Sequence, residues 1–249
     1  MAFATEWRTL RSAILHLGIS ILLLSAFFFF FGFTNVKIGG ILFPFPVPDK
    51  QSFSAILFEK MKNDLMPDNV ELVVTNPISA FVSQALIATL LSLLLTLPYF
   101  LYKITTYMIP ALHLHERKLL SMTLFPSMLL FLLGAFFAYT VIIPPTLSFL
   151  YTYASAIGAT LLFSVPEFIS LVFSIVIVTG VSFLLPVFMF LLSRIGLTPE
   201  HFWKKQWRYA LISFLLFSAI ITPDGSGVSM AFLSLPLVTL YLVGIIISK

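Results

Sequence analysis

Long apolar runs along this chain are separated by short polar ones. Six runs read as helices: about Ser12–Phe33, Ile78–Leu101, Leu119–Ile143, Phe168–Ser193, Tyr209–Thr222 and Val228–Ser248. A spanning helix takes about 20 mostly apolar residues. The pattern therefore predicts an all-α, polytopic membrane protein with six transmembrane helices in one domain, 1–249. The fifth and sixth are expected to be short. Between Arg208 and Pro223 lie 14 residues, roughly 21 Å of helix, against a hydrocarbon core of ~30 Å. A helix that short thins the bilayer, snorkels its flanks or shelters against neighbours. "TPDGSG" (Thr222–Gly227) then turns the chain, with a proline to stop one helix and glycines to permit the bend.

The connections are short except for Thr34–Asn76. Within it, "FPFPVPDK" (Phe43–Lys50) is expected to be extended, because each proline fixes its own φ and pushes the preceding residue out of the helical region. The next stretch sets Phe53, Ile56, Leu57, Met61 and Leu65 on one stripe, the pattern of an amphipathic helix lying on the membrane or capping the bundle. Pro144–Pro166 reads as a second outer loop. The first run is longer than the ~7–15 residues of a signal-peptide core and carries no A-x-A site, so it is expected to be retained.

Composition agrees with this reading. Hydrophobic residues make up 59% of the chain and charged residues 10%, where soluble domains carry about 25%. No cysteine is present, which excludes disulfides, thiolate metal sites and cysteine nucleophiles. There is no basic stripe with interleaved aromatics, so nucleic-acid binding has no support.

Charge sets the orientation. Arg8, Arg11, Lys103, Arg117, Lys118, Arg194, Lys204, Lys205, Arg208 and Lys249 fall on one side, and Lys37, Lys50, Lys60 and Lys62 on the other. Ten bases against four place both termini in the cytoplasm.

One segment concentrates chemistry: "PALHLHERK" (Pro110–Lys118) gathers His113, His115, Glu116, Arg117 and Lys118. A catalytic cluster, a topological anchor and a docking site are the alternatives. Two histidines two residues apart point in different directions on a helix, and no third metal ligand accompanies them. Ser182, in "GVSF", has no deep histidine to activate it and reads as a small residue packed against a neighbouring helix. No ionisable group sits at mid-span, which disfavours a carrier lined by charges. Pro98, Pro126 and Pro186 break helices without defining a pathway. Cytoplasmic acids are scarce: Glu6, Glu116 and Glu200. An exposed Glu116–Arg117 pair is worth little by itself, but a carboxylate at the boundary also receives guanidinium groups through paired hydrogen bonds.

At this point the chain resembles the TatC family, the core subunit of the twin-arginine protein translocase. The resemblance runs through "PALHLHERK", "FLLGAFFAYTVIIP" (Phe131–Pro144), "GVSFLLPV" (Gly180–Val187), "LTPEHFWKKQWRYA" (Leu197–Ala210) and "AIITPD" (Ala219–Asp224), in that order. The proline-rich outer loop looks most like archaeal members. The resemblance implies a receptor in the cytoplasmic membrane, not an enzyme and with no cofactor. It would recognise twin-arginine signal peptides on folded cargo and assemble with single-span TatA- or TatB-type subunits. It would form homo-oligomers in a larger complex, and export would draw on the proton-motive force. Glu116 matches the family's loop glutamate that binds the signal arginines, Arg117 the base beside it, and Tyr107 an aromatic before the loop proline. Asp224 matches an acid at the turn between helices five and six. With Thr222 and Ser182 it is expected to serve partner contact or gating.

Two positions depart from the family pattern. Thr9, before Leu10–Arg11, stands where a second glutamate is expected, and Glu6 on the same helical face is expected to replace it. Leu184 stands where many members carry an intramembrane glutamate. The competing reading is a secondary carrier or lipid-handling membrane protein. Inverted repeats would favour a carrier, and the chain shows none.

Overall fold

The computed structural model describes residues 2–38, 41–48, 52–66, 71–74, 76–108, 114–156, 162–196, 198–199, 201–221 and 227–248. Positions 2–10, 13, 33–46, 48, 71, 98, 101–102, 104–121, 154, 162 and 228–229 are described by their backbone, where they fall within these ranges. The chain divides into two compact units, 1–100 with 162–173, and 101–161 with 174–249. Among the described residues, four helical stretches are long and apolar enough to cross a membrane: Pro77–Leu97, Met122–Tyr153, Val165–Arg194 and Met230–Ile247. Two more, Ile14–Phe30 and Trp207–Ile221, are apolar but shorter.

In the first unit, α1 (Ala2–Phe30) starts ten residues before the apolar run and stops three short of its predicted end. Hydropathy marks where a helix leaves the apolar zone, not where its hydrogen bonding ends, so the more mixed segment 2–11 extends it. Phe31–Phe33 pass instead into β1 (Phe31–Ile38), antiparallel to β2 (Ile41–Pro48) over eight paired positions from Phe31↔Pro48 to Ile38↔Ile41. The extended "FPFPVP" is thus a strand. Pro44, Pro46 and Pro48 occupy alternate positions, so their missing N–H groups share one edge. With the ladder to β1 continuous, that edge is the outer one. Prolines there block strand addition.

Next comes α2 (Phe53–Leu65), the amphipathic helix read from the sequence. Ser52 caps it, accepting from Ala55 N–H. Met61 and Leu65 are buried, while Glu59, Lys60, Lys62 and Asp64 are exposed. Ile56, assigned to the apolar stripe, is 47% exposed. Packing of α2 on α1 draws Phe53 against Phe27 and Phe28. Gln84 Nε2, in α3 (Pro77–Met108), donates to Ser52 Oγ at 2.8 Å and thereby ties three helices together. A short β3 (Glu71–Val73) pairs in parallel with β4 (Leu162–Ser164), joining two segments expected to be loops. The fold therefore departs from all-α in two small strand pairs. The first part of α6 (Val165–Ser182) supplies buried Phe168, Ile169 and Val172 to this unit.

In the second unit, α4 (Leu114–Phe137) begins five residues before its apolar run. It does not end at Pro144. It passes through a π-helical turn (Ala138–Ile142) into α5 (Ile143–Ala156), so much of the expected second outer loop is helix. Pro144 and Pro145 sit in the first turn of α5, where prolines are tolerated. The fourth apolar run, by contrast, breaks into α6 and α7 (Leu185–Arg194), with Pro186 in α7's first turn. A four-residue α8 (Phe202–Lys205) precedes α9 (Trp207–Ile221), which is short, as the sequence predicts. Then α10 (Gly227–Ile247) has 21 residues, about 31 Å at the α-helical rise. The expected shortness of the sixth helix does not hold. Packing is of α10 on α7, α9 and α5, and of α4 on α7, around buried Phe131, Ile142, Ile143, Leu147, Met189, Leu233 and Tyr241.

Candidate functional site

Tyr107 lies in the last turn of α3, and Glu116, Arg117 and Lys118 in the first turns of α4. The loop expected over Tyr102–Lys118 is thus helical at both ends. The intervening 109–113, including His113, lies outside the described residues. Glu116 is the third residue of α4. A carboxylate there is favoured by the positive end of the helix macrodipole, whereas Arg117 and Lys118 oppose it. Helix stability therefore accounts for the acid but not for the bases. The bases need a topological or binding role.

Glu6, Thr9 and Arg11 all belong to α1. Glu6 and Thr9 are three residues apart and share a face. Arg11 is exposed. These three sit in the first unit, and Tyr107, Glu116 and Arg117 in the second. Thr222 and Asp224 lie outside the described residues.

Ser182 is half-buried, and its Oγ donates to the Val178 carbonyl at 2.6 Å. Its polarity is consumed within its own helix. Close packing of small residues is seen at two glycines. A Cβ on Gly180 would stand 2.7 Å from Phe131 Cε2, and one on Gly134 would stand 2.7 Å from Phe183 Cγ. The notches are reciprocal: α4 receives Phe183, just past the end of α6, at Gly134, and α6 receives Phe131 of α4 at Gly180. The strings "FLLG" and "GVSF" carry both residues of each pair, but only the structure reveals the exchange.

Leu184 is half-buried at the break between α6 and α7. Nearby polarity is slight. Thr179 is 2% exposed, and its hydroxyl has no hydrogen-bond partner among the described residues. Nothing in the local sequence around Thr179 signals this orphaned group. No cluster of three or more potential metal ligands occurs among the described residues.

The family model for the Sec-independent protein translocase protein TatC matches residues 7–236. The Sec-independent protein translocase protein TatC of Cenarchaeum symbiosum (strain A) is 33% identical over 250 residues, covering 100% of this chain and 95% of its own length. That of Aquifex aeolicus (strain VF5) is 31% identical over 201 residues, covering 79% of this chain and 82% of its own. Among solved structures, a crystal structure of the twin arginine translocase receptor TatC superposes with a TM-score of 0.79 at 26% identity, covering 98% of both chains.

Proposed function

The chain belongs to the TatC family of Sec-independent protein translocase proteins, and on that premise we propose that it receives twin-arginine signal peptides and organises the export of folded proteins. It is a translocase component and not an enzyme. The match across residues 7–236 carries the reading. The carrier alternative has no observation in its favour.

In this proposal Glu116 pairs with the signal arginines, favoured as a carboxylate by its place in the first turn of α4. Arg117 beside it and Tyr107 before it complete the docking segment. Glu6, on α1 with Thr9 and Arg11, supplies the second acid. Two guanidinium groups call for two carboxylates, because each fork seats on one. Six helices cross the cytoplasmic membrane, both termini are inside, and residues 1–249 act as one domain. TatA- and TatB-type single-span subunits join further copies of this chain, and the proton-motive force drives transport. Thr222, Asp224 and Ser182 are assigned to partner contact or gating. Since α9 has 15 residues, about 22 Å, it draws the bilayer thin where cargo crosses.

A photoreactive residue at position 116, presented with a twin-arginine precursor and its Lys-Lys variant, tests the docking role. Crosslinking is expected only with the arginine pair. Equal crosslinking to both precursors returns Glu116 to a boundary anchor. Glu6→Gln and Glu116→Gln should each weaken binding. If Glu6→Gln leaves it intact while Glu116→Gln abolishes it, Glu6 is not the second acid.

A further inference from the structure

The segment between α7 and α9 is held more firmly than a surface connection requires. Trp203 Nε1 donates to Ser193 Oγ at 2.9 Å, and Ser193 Oγ lies 3.2 Å from Thr198 Oγ1. From α10, the Tyr241 hydroxyl donates to the Trp203 carbonyl at 2.7 Å. Edge-to-face ring contacts join Phe202 to Trp203, Trp203 to Tyr241, and Tyr241 to Phe214. Gly196 turns the chain at φ +79°, a conformation that disfavours any residue with a Cβ. These ties clamp the segment to α7, α9 and α10.

Among the described residues, what the clamp presents is basic and aromatic. Arg194, Lys204, Lys205 and Arg208 are all exposed. The Arg194 guanidinium lies 5.3 Å from the Phe190 ring centre, and that of Arg208 lies 5.6 Å from Trp207's. Trp207 and Tyr209 are themselves exposed. The level of this surface follows from its flanks: one apolar span, Val165–Arg194, ends there, and the apolar α9 begins there. A segment bracketed by the ends of two apolar helices sits where acyl chains give way to headgroups.

We propose that this clamped surface binds anionic phospholipid headgroups. Bases at that level attract anionic lipid, and guanidinium forks match phosphate oxygens. Exposed Trp and Tyr side chains settle at the same interface. Ordering the segment in advance lowers the cost of binding. Bound headgroups fix the starting depth of the short α9. The inference stands on the second unit alone and does not depend on the signal-peptide reading.

The test uses the purified full chain in neutral detergent, titrated with dioleoylphosphatidylglycerol and followed by thermal melting and native mass spectrometry. The anionic lipid should raise the melting temperature and remain bound. Dioleoylphosphatidylcholine and inorganic phosphate should do neither. Replacing Arg194, Lys204, Lys205 and Arg208 by Gln should raise the half-saturating lipid concentration roughly fivefold per base removed. Lys60→Gln with Lys62→Gln, in α2, should leave it unchanged. Should the fourfold variant fold poorly, Lys204→Gln with Lys205→Gln gives the same reading from two exposed side chains. An unaltered lipid response in the Gln variants overturns the proposal, as does equal binding of the neutral lipid. Preferential capture of a soluble polyglutamate peptide over the lipid assigns the surface to an acidic protein and also overturns it.

Discussion

Two places in the second unit meet proline in opposite ways. At Pro144–Pro145 the helix continues. The rings would strike the carbonyls of Thr140 and Val141 in a regular α-helix, but the turn just before them is widened. Ile143 N–H bonds the Ala138 carbonyl, five residues back, and α4 runs on into α5. Ahead of Pro186 the helix stops at Ser182. Phe183 N–H still reaches the Thr179 carbonyl at 3.0 Å, but Leu184 N–H turns to Val181, and α7 starts afresh. Pro126 and Pro236 remain inside helices altogether. Proline therefore shows where the hydrogen-bond ladder is interrupted, not whether the helix ends. At the break, Phe183, the first of the two residues between the halves, is seated on Gly134. Packing decides the outcome that proline only permits.

The largest effects should come from filling the two notches. Gly180→Ala sets a Cβ against Phe131, which is 0% exposed and has nowhere to go. Overpacking of this kind costs about 1–3 kcal/mol. Alanine's helical advantage of about 1 kcal/mol offsets only part of it. Gly134→Ala meets Phe183 at its Cβ and Cγ, the root of the side chain, which no change of rotamer moves away, so its cost should be comparable. Gly244→Ala, opposed by the flexible end of Met189, should be milder. Thermal melting of the three variants in detergent checks the order. A Gly180→Ala protein as stable as the parent would remove packing as the cause of the break.

A smaller effect separates the two proline sites. Pro186→Ala restores an N–H to the break but leaves Phe183 on its glycine. Stability should move by less than about 1 kcal/mol, because proline near a helix start costs little, and amide exchange at Phe183 and Leu184 should stay as it was. Pro144→Ala with Pro145→Ala removes both rings from the wide turn. There the five residues Ala138–Ile142 should tighten toward α-helix, with slower exchange. Closure of the break in Pro186→Ala would show that proline governs both sites.

The apolar periodicity reveals most of the architecture, since burying or lipid-facing residues is what organises this chain. All six apolar runs are mainly helical, although the first ends in β1 and the fourth is broken, and the stripe ending in Met61 and Leu65 forms α2. Helix ends were less legible. Residues 2–11 and 102–108 are polar enough to leave the apolar zone yet remain helical. The pairing of β3 with β4 brings together segments about ninety positions apart, which no local pattern encodes. Site residues were readable only through the family strings. Composition alone left Glu116 open among a catalytic group, an anchor and a receptor, because a single carboxylate has the same local chemistry in all three.

The smallest expected effect concerns Thr179, one turn before the break. Its hydroxyl is buried without a hydrogen-bond partner among the described residues, although Ser182 beside it bonds Val178. A buried unpaired hydroxyl carries its desolvation cost with no return. Thr179→Val keeps the shape and removes the oxygen, so the protein should melt slightly higher, by up to about 1 kcal/mol in stability. Signal-peptide crosslinking at position 116 should be unchanged. If Thr179→Val instead lowers export while stability rises, the hydroxyl serves transport. The polarity that Leu184 lacks would then be supplied one turn earlier, and the break would be a working element as well as a packed joint.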